Sequence, residues 1–182
     1  MRVRSVEGLA ARSAEGETFS YLFFWGHRAR EGVVTKSCLS NWWPAAFELD
    51  GERWPTTEHY MMYAKARLFG DEERMAAIRE ATDPKQVKSL GRAIRPYGDM
   101  SWAAHRYGAV VQANHAKFEQ HPDLRAFLSG TGDAVLVEAS PMDKVWGIGL
   151  AEDHADAQDP SRWQGANLLG FALMDVRDAL AG

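Results

Sequence analysis

Glu58 and Lys65 lie seven residues apart in the segment Trp54-Pro55-Thr56-Thr57-Glu58-His59-Tyr60-Met61-Met62-Tyr63-Ala64-Lys65-Ala66-Arg67-Leu68-Phe69. An amine drawn out of water gives up its proton more readily and becomes a nucleophile toward a sugar carbon or an aldehyde. A carboxyl group beside it can move protons or steady an oxocarbenium ion. At roughly 100° per residue, Glu58, Met62, Lys65 and Phe69 fall on one narrow helical stripe. Two helical turns part the charged pair by roughly 10.5 Å along the axis. That exceeds the reach of an i,i+4 ion pair, but both side chains can converge on a ligand between them. Spacing alone equally describes a solvated helix face that carries charges.

Three further clusters carry residues of chemical interest. In Val137-Glu138-Ala139-Ser140-Pro141-Met142-Asp143-Lys144-Val145-Trp146-Gly147-Ile148-Gly149-Leu150 an apolar strand runs into a glycine-bearing loop. Gly147 and Gly149 let backbone N–H groups approach a phosphate or ribose, and Trp146 can stack on a base. The same pattern fits a tight turn over a core tryptophan, and it opens no helix as a dinucleotide fingerprint would. In Trp163-Gln164-Gly165-Ala166-Asn167-Leu168-Leu169-Gly170, Asn167 can cap a helix or sit at an anion site. In Lys88-Ser89-Leu90-Gly91-Arg92, with Arg95 beyond, the cations suit a phosphate or simply a helix C-terminus.

These residues need elements to hold them. Thr56 or Thr57 can cap a helix over about 57–69, and Gly70 stops it. Tyr21 to Trp25 reads as a buried strand, and 134–139 as a second. Phe47-Glu48-Leu49, Asp50-Gly51 and Arg53-Trp54 form a hairpin pattern. Asp71 caps a helix to about 80, and Asp83-Pro84 opens another to about Gly91. Ser101 is the expected cap of a long helix over 102–120. A short helix follows at 123–128, and Asn167 starts the last one, to about Leu180. Residues 26–37 read as a loop, and the polar stretch 151–166 as a long loop of the kind that forms lids or binding elements. Residues 1–19 are expected to be a loosely held lead-in to a domain spanning 20–182. The count predicts an α+β fold, a helix-rich single domain around a small β-sheet.

At 182 residues, with 46% apolar and 25% charged side chains, the chain can bury one good core and is not of the disordered class. A net charge of −4 lacks the basic excess of a general nucleic-acid binder, yet leaves room for a local basic cleft. No apolar run nears the roughly 20 residues of a membrane helix, and the first residues carry no secretory pattern, so the sequence reads as cytoplasmic. Cys38 is the only cysteine, which rules out an internal disulfide and a thiolate zinc cluster. The six histidines are scattered, so neither a metal site nor a cofactor is expected. No nucleophile elbow marks a serine or cysteine hydrolase.

Taken in order, Leu39-Ser40-Asn41-Trp42, Trp54-Pro55-Thr56-Thr57-Glu58-His59-Tyr60, Lys65-Ala66, Gly91-Arg92, Leu136-Val137-Glu138-Ala139-Ser140, Asp143, Trp146-Gly147-Ile148-Gly149-Leu150 and Asn167-Leu168-Leu169-Gly170 resemble the NADAR family, also called YbiA-like. Each piece is weak alone; the ordered set spans about residues 20–180. The resemblance implies an N-glycosidase that breaks a ribose C1–N bond. Two substrate groups go with it: ADP-ribose attached to guanine in nucleic acid, and phosphoribosylamino-pyrimidine intermediates of riboflavin synthesis. It places the family's glutamate and lysine on Glu58 and Lys65 as catalytic residues. It also raises Asn41, Trp42, Arg92, Asp143, Trp146, Gly147 and Asn167 as substrate-binding residues, with no metal. The stretches 29–37 and 151–162 are where this chain is expected to vary. The competing reading is a module that binds ADP-ribose or NAD without turning it over. A purely structural role for the tryptophans ranks below both.

Overall fold

Two short strands from distant parts of the sequence form the floor of the fold. In the computed structural model, which describes residues 3–26 and 33–182, β1 (Tyr21–Phe24) pairs in parallel with β4 (Val135–Glu138). Tyr21 lies opposite Val135 and Phe24 opposite Glu138. Both strands are apolar because helices cover them. A separate hairpin joins β2 (Phe47–Leu49) to β3 (Glu52–Trp54). Its two turn residues, Asp50 and Gly51, both have positive φ, at 56° and 76°, as a tight hairpin of this hand requires.

Seven helices surround this floor among the described residues: α1 (Val6–Ala14), α2 (Thr57–Phe69), α3 (Glu72–Glu80), α4 (Pro84–Ala93), α5 (Asp99–Gln120), α6 (Pro122–Gly130) and α7 (Leu168–Ala181). The fold is therefore the helix-rich α+β domain that the sequence predicts. Helix α7 lies directly on β4, and a Cβ at Gly170 would sit 2.0 Å from the Leu136 carbonyl oxygen. Helix α2 is wedged between α3, α4 and α5. Thr56 caps it by accepting the His59 N–H, and Gly70 ends it in the left-handed conformation. Eight of its residues are buried, which puts its charged positions among apolar neighbours.

Four expectations need correction. The lead-in is not loose: Ser5 caps α1, Leu9 is fully buried, and Arg4 forms ion pairs with Asp175 and Asp178 of α7. Leu9 is the helix's single fully buried residue, with Val3 and Val6 packed beside it on the core. Helix α5 begins at Asp99 after Gly98, so Ser101 lies inside its first turn and caps nothing. The 151–166 segment is a packed buttress, not a lid. It holds a 3-10 turn (Pro160–Arg162) against α1, and the Trp163 indole donates to the Ala157 carbonyl at 2.9 Å. Asn167, at φ 51°, precedes α7 without making a cap bond. Residues 27–32 of the predicted 26–37 loop, and with them 29–32 of the stretch expected to vary, lie outside the described residues.

Candidate active site

Helix α2 delivers Glu58 and Lys65 to one cavity of about 340 Å³. Glu58, in the first turn, is 3% exposed. Its backbone N–H donates to the Asn41 carbonyl at 2.9 Å, and the Trp42 side chain hydrogen-bonds its carboxyl group. Oxygen Oε1 is shielded from water and has no hydrogen-bond partner. Burial pushes the Glu58 carboxyl up to about 7, against the opposing pull of Lys88, the Trp42 bond and Arg92. A carboxyl in that range exchanges protons near neutrality.

Two turns on, Lys65 is half-buried. Its Nζ donates to the Gly91 carbonyl at 2.8 Å and lies 4.2 Å from the centre of the Tyr97 ring. Burial lowers its pKa; the charge of Arg95 acts in the same direction and that of Asp99 opposes. The approach of α4 to α2 depends on Gly91, where a Cβ would meet Met62 Sδ at 2.0 Å.

The other walls come from α4 (Lys88, Arg92), the end of β4 with its loop (Glu138, Asp143, Val145, Trp146), the segment Ser40–Trp42, and Tyr97, Trp102 and Arg106 at and within α5. Asn41 is buried and accepts from Asn114 Nδ2 at 3.1 Å. Asp143 Oδ1 accepts the N–H groups of Val145 and Trp146 at 2.9 and 2.8 Å, which turns Trp146 onto the wall. Arg92 stands exposed at the rim. Seven of the nine residues expected at the site thus line one cavity: Glu58, Lys65, Asn41, Trp42, Arg92, Asp143 and Trp146.

Gly147 and Asn167 do not. A Cβ at Gly147 would lie 2.7 Å from the Glu138 carbonyl oxygen, so this glycine lets the loop press against the strand end. Asn167 is fully buried. Its Oδ1 accepts the Glu138 N–H at 3.0 Å, and its Nδ2 donates to the Leu136 carbonyl at 2.9 Å. Both residues sit behind the wall and fix the residues that face inward. The Asn167 N–H donates to the Gly147 carbonyl at 3.1 Å, and both ends of the Asn167 amide are engaged by the strand.

Glu138, Lys88, Trp102, Tyr97 and Arg106 also line the cavity and lie outside the nine expected residues. Glu138 reads from the sequence as a strand end, and Lys88 as a phosphate-binding or helix-terminal cation. Tyr97 and Arg106 share no spacing with the rest that would mark them. Glu138 Oε2 and Arg106 Nε are shielded from water without a hydrogen-bond partner. One buried support is also new. Lys117 of α5 is fully buried, and its Nζ donates to the carbonyls of Cys38 at 2.6 Å and Ser40 at 3.1 Å. It pins the segment that carries Asn41 and Trp42.

The arrangement combines a sheltered amine, the buried Glu58 carboxyl, the half-buried Glu138 and Asp143, three further cations (Lys88, Arg92, Arg106) and aromatic walls. Such a cavity can hold an anionic sugar derivative, stack a base and pass protons. Among the described residues, no group of His, Cys, Asp or Glu is placed to hold a metal ion, and no helix is long and apolar enough to cross a membrane.

Comparison with known proteins agrees with this geometry. The NADAR domain family matches residues 23–181. The chain is 40% identical over 167 residues to N-glycosidase R617 of Acanthamoeba polyphaga mimivirus, covering 89% of this chain and 97% of that protein. It is 35% identical over 139 residues to N-glycosidase YbiA of Escherichia coli K12, covering 76% and 77%. The NMR structure of E. coli YbiA superposes with a TM-score of 0.67 at 30% identity, over 91% of this chain and 87% of that one. These matches define a hydrolase of N-glycosyl bonds. The chain belongs to the NADAR family.

Proposed function

We propose that this N-glycosidase cleaves the ribose C1–N bond of ADP-ribosylated guanine. The observation that carries the reading is that buried Glu58 and half-buried Lys65 line one cavity. Four aromatic residues (Trp42, Tyr97, Trp102, Trp146) offer surfaces for more than one base, and Lys88, Arg92 and Arg106 suit a diphosphate. The same bond chemistry would serve a phosphoribosylamino-pyrimidine, which has one ring and one phosphate and uses less of this surface.

The neutral Lys65 amine attacks C1 as the bond to the base loosens, and the base departs with a proton. The new nitrogen–carbon bond opens the sugar ring to an iminium ion. Glu58 takes the proton that Lys65 sheds and passes it to the ring oxygen as the C1–O bond of the ring breaks. Water adds to the iminium carbon, the bond to Lys65 breaks, and the free sugar leaves with the lysine restored. One water is consumed and one N–H is formed on the base.

The test is incubation with an ADP-ribosylated guanine oligonucleotide and, separately, with the phosphoribosylamino-pyrimidine, each with and without borohydride. Release of ADP-ribose from the first, with unmodified guanine restored in the oligonucleotide, and a reduced sugar adduct on Lys65, are the expected results. Turnover of the pyrimidine alone would reassign the substrate. Tight binding without release of base or sugar from either would make the protein a binding module.

A further inference from the structure

The main cavity does not close behind Glu138. An outer cleft of about 440 Å³ adjoins it, lined by Trp25, Ser140 and Met142. The two spaces share Ser40, Trp42, Lys88, Arg92, Glu138 and Asp143. Trp25 and Met142 are 58% and 88% exposed, so the outer cleft is open and apolar-rimmed, whereas the inner one holds Lys65 and Glu58. Glu138 lines both spaces, whereas Lys65 and Glu58 line the inner one alone.

Glu138 is held for such a position. Its backbone is fixed at the end of β4, by pairing opposite Phe24, by the Asn167 side chain on its N–H, and by the Ile148 N–H on its carbonyl at 2.9 Å. No hydrogen bond engages Oε2, although that atom is cut off from water. A buried carboxyl oxygen without a hydrogen-bond partner is destabilising, so its retention in the cavity wall calls for a function.

We propose that Glu138 is the general acid that protonates the departing base. This deepens the N-glycosidase reading and rests on it. The carboxyl proton passes to the base nitrogen, which keeps the electron pair of the broken C1–N bond; Glu138 is left as a carboxylate. It regains a proton from the water that later releases the sugar. The division of labour with Glu58 follows from position: Glu138 stands where the inner cavity meets the outer cleft, and Glu58 lines the inner cavity with Lys65. Burial above all, then Asp143 and Glu58, favour the protonated form of Glu138, with Lys88 opposing. Burial also favours the protonated form of Glu58, with Asp143 adding to it, but Lys88, the Trp42 bond and Arg92 pull it toward the ionised form. Lys65 on α2 and Arg106 on α5 are the remaining charged side chains lining the cavity. Two carboxyls whose surroundings differ in this way take the acid and base roles separately.

The test uses two substrates and two variants. One substrate is the ADP-ribosylated guanine oligonucleotide. The other is ADP-ribose carrying 4-nitrophenol at C1, whose leaving group departs without a proton. Glu138→Gln should lower kcat on the guanine substrate by roughly 10²–10⁴-fold, with KM little changed and the fall of kcat at alkaline pH abolished. Its rate on the nitrophenyl substrate should stay near that of the wild type. Glu138→Asp keeps an acid but withdraws it, and should show a smaller loss with the alkaline fall retained. Equal loss on both substrates, or no loss on either, overturns the assignment while leaving the N-glycosidase reading intact. A wild-type protein that releases neither leaving group overturns both.

Discussion

Lys65 Nζ and the Gly91 carbonyl oxygen are 2.8 Å apart, so the amine of one helix is held by the backbone of another. Gly91 has no Cβ to keep Met62 away, and this bare stretch of α4 lets the two helices close on each other. The position of the Lys65 amine therefore depends on a residue that contributes no side chain.

Replacing Lys65 with Ala should lower kcat by roughly 10³-fold or more, and should abolish borohydride trapping. The side chain is half-buried and gives up one hydrogen bond, so stability should fall by only about 1 kcal/mol. Single-turnover kinetics and thermal melting check the two parts separately.

Gly91→Ala should act from a distance. The added methyl must displace Met62 or part α2 from α4, at a cost of about 1–3 kcal/mol, and it moves the carbonyl that anchors Lys65. Activity should fall further than the stability loss accounts for. Gly91→Ala melting like wild type with unchanged kcat would contradict the anchoring role.

Glu58→Gln separates stability from activity by pH. The folded-state pKa of Glu58, about 7, is above the ordinary carboxylate value. The folded protein thus binds a proton that the unfolded chain releases between about pH 4.5 and 7, and its stability falls as pH rises through that window. The amide variant lacks this loss. It should melt a few degrees higher than wild type at pH 8, on the order of 1–3 kcal/mol, and match it near pH 4.5, while kcat is lost at both. Denaturation curves at the two pH values provide the measurement.

Lys117 gives the opposite sign. Burial pushes its amine down to about 7, below its unfolded value of about 10.5. Between these values the unfolded chain holds a proton that the folded one lacks, so this group's contribution rises with pH through the window. Lys117→Met should remove that slope. It should also leave the Cys38 and Ser40 carbonyls unpaired, costing about 2–4 kcal/mol, and raise KM by loosening Asn41 and Trp42. Denaturation from pH 7 to 10 beside steady-state kinetics tests both effects.

The sequence made α2 legible because a cap, a stop and a charged stripe all lie within one local segment. The hairpin and both parallel strands were equally local in their signals. What sequence spacing could not convey is which chemical groups the backbone consumes. Asn167 and Asp143 look alike as polar residues beside glycines, yet the first spends both ends of its amide on β4 while the second caps its own loop and still lines the cavity. Tyr97, Trp102 and Arg106 reach the site only because α5 crosses α2, a tertiary fact with no sequence period. Helix α1 was hidden for a related reason: it is held by one buried leucine and by Arg4, whose partners lie on the last helix.

The parallel pairing of β1 with β4 has a consequence for how the molecule is made. During synthesis the helix bearing Glu58 and Lys65 emerges well before the strand that ends in Glu138, and β1 must wait for most of the chain before it finds its neighbour. The reactive hollow is thus completed among the last events of folding. A nascent or truncated chain ending ahead of β4 would carry the amine and one acid with no second acid to join them.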